Sequence, residues 1–166
     1  MKLIHRNISF NVDREYVLER HCRTNYACDC PWKREMPYED YRKEWLSLQS
    51  QINGFSNALL DSMKDSRTIA EIIETEDGEK VAYFWVVFHA DQESEFYFAD
   101  AQDLYVEEEY RKMGVAQRLM EYAETKAKEN GAKVFRSGTG IENFKSFNLH
   151  KKLGYYQYRY EFEKLL

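Results

Sequence analysis

The sequence predicts an α/β fold, a mixed and mostly antiparallel sheet flanked by about four helices, on three observations. Helix-period apolar stretches occupy much of the first sixty residues, β-branched and aromatic segments separated by a turn follow, and a strand–glycine–helix unit spans 103–116. With 166 residues, 43% apolar and 16% aromatic, the chain is expected to bury one core and form a single domain over 1–166.

Residues 2–10 alternate enough for a first strand, and Asp13 is placed to cap a helix running through Tyr16, Val17 and Leu18 toward His21. Cys28-Asp29-Cys30-Pro31 reads as the loop that ends it. From Pro37 a second helix carries Tyr38, Tyr41, Trp45, Leu48 and Ile52 at helical spacing and continues past Gly54 toward Met63. Segments 68–74 and 81–89, separated by Asp77-Gly78, read as an antiparallel hairpin whose second strand is covered on both faces. Strand 96–106 comes next. The helix after Gly114 buries Val115, Leu119, Met120, Ala123 and Ala127 and stops at Asn130-Gly131. A short strand at 133–136, a helix at 143–152 and a final strand of alternating aromatics at 155–162 complete the order β-α-α-β-β-β-α-β-α-β. The strand–helix–strand from 96 to 136 should be a right-handed parallel crossover.

Within 103–116, Leu104 and Val106 share one strand face, Gly114 lets backbone approach a ligand, and the unpaired N–H groups of the helix start favour an anion. That is a phosphate-binding arrangement. A net charge of −5 argues against a general nucleic-acid binder and mildly favours a cationic partner. No apolar run approaches the roughly 18–20 residues that span a bilayer, so a soluble, cytoplasmic protein with no membrane partner is expected. Three clustered cysteines, Cys22, Cys28 and Cys30, do not make a disulfide framework and fit a reducing compartment.

Arg111-Lys112-Met113-Gly114-Val115-Ala116 resembles the cofactor loop [Gln/Arg]-x-x-Gly-x-[Gly/Ala] of the GCN5-related N-acetyltransferase (GNAT) superfamily. The segment from Asn143 through His150 to Leu153-Gly154-Tyr155 resembles that family's Asn-(x)6-[Tyr/His]-x-x-Leu-Gly-[Phe/Tyr]. The resemblance is sharp over 100–156 and only topological over 1–90. It implies a sheet of six to seven strands with a V-shaped opening that takes acetyl-CoA, or another acyl-CoA, between Val106 and the strand near Val134. Backbone N–H groups of Met113, Gly114, Val115, Ala116 and Gln117 would hold the pyrophosphate, with Arg111 and Lys112 supplying charge. The edge at Leu104, Tyr105 and Val106 would pair with the pantetheine arm, and Asn143 would hydrogen-bond it.

The implied reaction is transfer of an acetyl group to a primary amine by direct attack in a ternary complex. His150 falls where most members carry a tyrosine that protonates the leaving sulfur; the plain alternative is a helix-terminal residue that complements the dipole. Asp100, read as sharing the face of Gln102 and Leu104 and opposite to Asp103, is the first choice for the base. A solvated edge acid, or a water chain with no dedicated base, are the alternatives.

Trp32, Tyr38, Tyr41 and Trp45 are candidates for an acceptor pocket or for core, and Glu107-Glu108-Glu109 for attracting a cation or for a solvated loop. A small-molecule amine is favoured over a protein acceptor, and the resemblance allows a homodimer through the edge at 155–162. Rival classes are a non-catalytic acyl-CoA-binding or regulatory module and a metal sensor built on His21, Cys22, Cys28 and Cys30. The cysteine spacing is poor for zinc, and no metal is assigned.

Overall fold

The computed structural model describes residues 2–28, 35–90, 97–162 and 164. Five strands form one sheet in the order β1-β2-β3-β4-β5: β1 Ile4–Asn7, β2 Ile69–Glu74, β3 Lys80–Ala90, β4 Tyr97–Val106 and β5 Val134–Ser137. The first four pair antiparallel, and β5 joins β4 in parallel after the crossover helix. Among the described residues five helices flank the sheet: α1 Phe10–Cys28, α2 Tyr38–Ser47, α3 Gln49–Ser62, α4 Val115–Glu129 and α5 Phe144–Lys152. No helix among the described residues is long and apolar enough to cross a membrane.

Alternation along β3 builds two cores at once. Tyr83, Trp85 and Val87 pack with Val17, Leu18, Tyr41, Trp45, Phe55 and Leu59 of α1, α2 and α3. Phe84, Val86 and Phe88 pack with Val115, Leu119, Met120 and Ala123 of α4. Burial on both faces explains why residues 81–88 form a nearly continuous apolar run.

Four expectations require correction. The second helix is two, broken at Leu48, whose φ of −87° and ψ of 89° are not helical. The Ser47 hydroxyl bonds the Glu44 carbonyl at 2.6 Å, a local alternative to helix propagation, and Gly54 lies inside α3 without interrupting it. The break lets Tyr41 and Trp45 of α2 and Ile52, Phe55 and Leu59 of α3 all reach the same core.

Asp13 is not a cap preceding its helix but lies in the first turn of α1, where its carboxylate accepts from the Ser9 N–H at 2.9 Å. The final strand is absent: no strand forms over 155–162, and Tyr156, Tyr158, Tyr160 and Phe162 are exposed. Alternation specifies a strand only where one face has something to pack on, and these rings find little beyond Arg136 over Tyr158 at 5.3 Å. The described sheet therefore has five strands and five helices, where six to seven and about four were expected. The fourth correction, to the face of β4 on which Asp100 lies, belongs to the site below.

Asp13 is fully buried and ties three elements together. Arg6 of β1 grips its carboxylate with both terminal nitrogens at 2.8 and 3.1 Å, and Lys80 of β3 stands 3.4 Å away. Burial pushes its pKa up, but the hydrogen bonds from Arg6 and Ser9 and the charges of Arg6 and Lys80 outweigh that and hold it below the usual carboxylate range. A depressed folded-state pKa gives stability that is present above the unfolded value and lost as pH falls through the folded one. Asp13→Asn is expected to cost roughly 3 kcal/mol at neutral pH, with the difference from the native chain shrinking in acid. Urea unfolding at pH 7 and below pH 3 measures both.

Candidate active site

The register of β4 creates the site. Its pairing with β5 runs only from Phe98↔Val134 to Ala101↔Ser137, whereas its pairing with β3 continues to Val106↔Ala82. From Gln102 to Val106 the β5-facing edge of β4 therefore has no strand partner among the described residues. Unpaired N–H and C=O groups on such an edge are ready to bond an extended amide-bearing ligand.

A bulge lies at the point of divergence. Trp85 pairs with Asp103 but Val86 with Ala101, so Gln102 is the extra residue. One extra residue reverses the alternation on either side of it. Ala99 and Ala101 before the bulge, and Leu104 and Val106 after it, all join the α4 core. Asp100 thus shares the opposite face with Asp103 and Tyr105 instead of lying with Leu104. Its carboxylate accepts from the Gln102 side-chain amide at 2.9 Å. Burial pushes the Asp100 carboxyl above its ordinary value, against the opposing influence of His89, Gln102, Arg136 and Arg159.

The loop after β4 passes through a 3-10 turn at Glu108–Tyr110 and enters α4 through Gly114, with φ of 75° and no side-chain cap. A Cβ built on Gly114 meets nothing within 4 Å, so glycine is required here by the backbone angle and by what can approach from outside, not by internal crowding. Lys112 also has a positive φ, 63°, which turns the chain twice within three residues. Helical bonding opens with the Arg118 N–H on the Gly114 carbonyl at 3.1 Å, so the N–H groups of Val115, Ala116 and Gln117 have no partner within the helix. Met113 is exposed beside them.

Arg111 is folded back onto β4. Its Nε donates to the Val106 carbonyl at 2.9 Å, its guanidinium lies 5.1 Å from the Tyr105 ring centroid, and Glu108 stands 3.5 Å away. A cation that the sequence did not point to takes the place beside the helix start: Lys152, at the end of α5, donates to the Gln117 side chain at 2.8 Å. Glu107 is not free for a ligand, since Tyr16 and Arg20 both bond its carboxylate at 2.7 Å.

On α5, the Asn143 side chain caps the helix by accepting from the Ser146 N–H at 3.3 Å and donates to Cys28 Sγ at 3.3 Å. The chain passes so close to α1 here that a Cβ on Gly140 would collide with the Cys28 backbone. The pair of glycines at 138 and 140 was the available sequence signal for this approach. His150 bonds the Ser146 carbonyl through Nδ1 at 2.7 Å; a carbonyl only accepts, so Nδ1 carries the proton. Its Nε2 is buried with no hydrogen-bond partner among the described residues, and the ring meets Tyr155 edge-on at 5.1 Å. Asp100 and His150 stand on β4 and α5 with no direct contact among the described residues.

The other candidates go elsewhere. His21 donates from Nδ1 to buried Asp103 at 2.8 Å, accepts at Nε2 from the Asn25 side-chain N–H at 3.1 Å and stacks on Phe55 at 4.0 Å. Cys22 is buried, which pushes its thiol up to about 11. Among the described residues no group of three His, Cys, Asp or Glu side chains is placed to hold a metal, and Cys30 lies outside them. Tyr41 and Trp45 are core, Tyr38 is partly buried against it and bonds Glu19, and Trp32 lies outside the described residues.

A family model for the acetyltransferase (GNAT) family matches residues 20–155, which takes in the open edge of β4, the Gly114 turn and α5. The chain belongs to that family. Its members use acetyl-CoA as cosubstrate. Three solved structures share the fold across nearly the whole length. A transcriptional regulator from Bacillus halodurans is 16% identical at a TM-score of 0.69, covering 99% of this chain and 100% of its own. Glucosamine-6-phosphate N-acetyltransferase from Arabidopsis thaliana is 15% identical at 0.61, covering 99% of each chain. An aminoglycoside antibiotic 6'-N-acetyltransferase from Acinetobacter baumannii is 19% identical at 0.59, again covering 99% of each. A comparison with curated protein sequences found no match.

The residues present fit the cosubstrate: an unpaired strand edge lies beside a helix start whose glycine has open space where a side chain would stand. Gly114→Asp puts bulk and negative charge into that space. It is expected to weaken acetyl-CoA binding at least about 100-fold in calorimetric titration, while thermal unfolding stays cooperative.

Proposed function

We propose that the chain is an N-acetyltransferase that moves the acetyl group of acetyl-CoA directly to a primary amine in a ternary complex. The observation that carries this reading is the divergence of β4 from β5 after Ala101, beside the open helix start at Gly114. Backbone N–H groups at Val115, Ala116 and Gln117 hold the pyrophosphate, assisted by Lys112 and Lys152, and the edge at Leu104, Tyr105 and Val106 holds the pantetheine arm. Arg111 acts by fixing the end of β4 through the Val106 carbonyl. Asn143 acts by fixing α5 against α1, since both ends of its amide are engaged in this structure.

Acetyl-CoA supplies the acetyl group as a thioester, whose C–S bond breaks as the N–C bond to the amine forms. An ammonium acceptor loses two protons in all: one leaves to create the nucleophile, and one is lost as the amide forms. Asp100 is the base for this proton removal. Half-burial and a raised pKa suit it to accept a proton near neutral pH more readily than an exposed aspartate does. His150 returns one proton to the leaving sulfur from Nε2. With Nδ1–H committed to the Ser146 carbonyl, the neutral ring has only a lone pair at Nε2, so the donating form is the imidazolium.

His150→Phe is expected to lower kcat by about 100-fold or more with acetyl-CoA affinity retained. An unchanged kcat removes His150 from proton transfer. The base form of Asp100 is lost as pH falls through its raised pKa, so the acid limb of kcat/KM should lie above the ordinary carboxylate range. Asp100→Asn should remove that limb together with most of the rate, as a pH profile with a saturating donor would measure.

A further inference from the structure

A cavity of about 280 Å³ opens between the end of α3 and the sheet face that carries Asp100. Trp85 and Val87 of β3 give it an apolar wall, and Ala58 and Asp61 of α3 and Gln102, the extra residue of the bulge, also line it. We propose that this cavity is the acceptor pocket and that it takes a compact primary amine with an apolar body, its nitrogen at Gln102. The proposal rests on the acetyl-transfer reading above and gives that site its substrate class.

Three observations point the same way. Gln102 is the link between cavity and chemistry: its amide nitrogen is committed to Asp100 at 2.9 Å, leaving its carbonyl oxygen to accept from an amine. A nitrogen held there stands one side chain away from the base. The cavity wall also carries negative charge. Asp65 is neutralised by a two-pronged pair with Arg67, but Asp61 is matched, among the described residues, by Lys64 alone, in a pair whose side chains are 70% and 78% exposed. Water screens such a pair, and its carboxylate remains available to an entering cation.

Size is the third. At the ~30 Å³ that each molecule occupies in liquid water, the cavity has space for about nine waters, enough for a body the size of a phenyl ring with a short amine arm. Phenethylamine has that bulk. An aminoglycoside has several times more. The apolar wall is rigid: the Trp85 indole N–H donates to Ser62 at 3.0 Å and its ring meets Phe55 edge-on at 5.8 Å. A wall fixed in this way selects by shape as well as by charge.

The test is steady-state release of free CoA with phenethylamine, kanamycin and a lysine peptide as acceptors. It uses the native chain, Ala58→Phe, which fills the cavity from an exposed helix position, and Asp61→Lys, which reverses its charge. The expected result is turnover of phenethylamine in preference to the larger acceptors. Both variants should raise its KM about tenfold or more while leaving the KM for acetyl-CoA and the unfolding temperature unchanged. Turnover of phenethylamine with KM unmoved in both variants overturns the pocket and leaves acetyl transfer standing. Preference for kanamycin or the peptide does the same. A native chain that neither binds acetyl-CoA nor releases CoA with any amine overturns the acetyl-transfer reading, and the pocket with it.

Discussion

The failure of two parallel strands to stay paired is the constraint from which the rest of the site follows. β4 and β5 share four residue pairs and then separate, while β3 continues to hold β4 to its end. The bulge at Gln102 lies at the point of separation, adding one residue to β4 and turning it relative to its neighbour. Without the bulge, with Gln102 in ordinary alternation, Asp100 would face the α4 core with Leu104, an apolar setting with no place for a carboxylate. With it, Asp100, Gln102 and Asp103 are gathered on the face that α1 and α3 cover, and the edge beyond them stays free.

The surroundings hold this opened geometry in place. Asp103, next after the bulge, is buried and bonded to His21, so α1 is clamped to β4 just past the divergence. Burial and the Asp103 carboxylate together hold the neighbouring Tyr83 phenol well above its ordinary value, keeping it protonated. At the far end, Tyr105 lies between the guanidinium groups of Arg20 and Arg111. His21, a candidate for metal binding, and Glu107, a candidate for attracting a cation, are thus engaged in holding the end of β4 to α1. A free strand edge is useful for binding only if its own strand does not move to repair it.

Much of this was legible in the sequence, and what was not has particular causes. The unit from β4 through Gly114 into α4 could be read because a strand face, a positive-φ glycine and a helical apolar stripe are all local patterns. The hairpin at Asp77-Gly78 and the stop at Asn130-Gly131 were readable for the same reason. The face of Asp100 was not, because a bulge is decided by pairing with β3 and leaves no mark on β4 itself. Lys152 was missed as a neighbour of the α4 start because that contact joins residues 35 apart in sequence. The aromatic alternation at 155–162 misled because periodicity records a capacity to pair, and no partner strand is present among the described residues. Asn143 and Arg111 were read as cofactor contacts, but here the Asn143 side chain bonds Cys28 and Ser146 and the Arg111 side chain bonds the Val106 carbonyl.

The most direct test of this account is residue-resolved amide hydrogen exchange with and without acetyl-CoA, since the proposed site is built mainly from backbone. Protection should appear on the unpaired edge within Leu104, Tyr105 and Val106 and at Val115, Ala116 and Gln117, with little change in β1 and β2. Binding that leaves those amides exchanging freely, or that protects a different set, would contradict the claim that the divergence of β4 from β5 is the donor site.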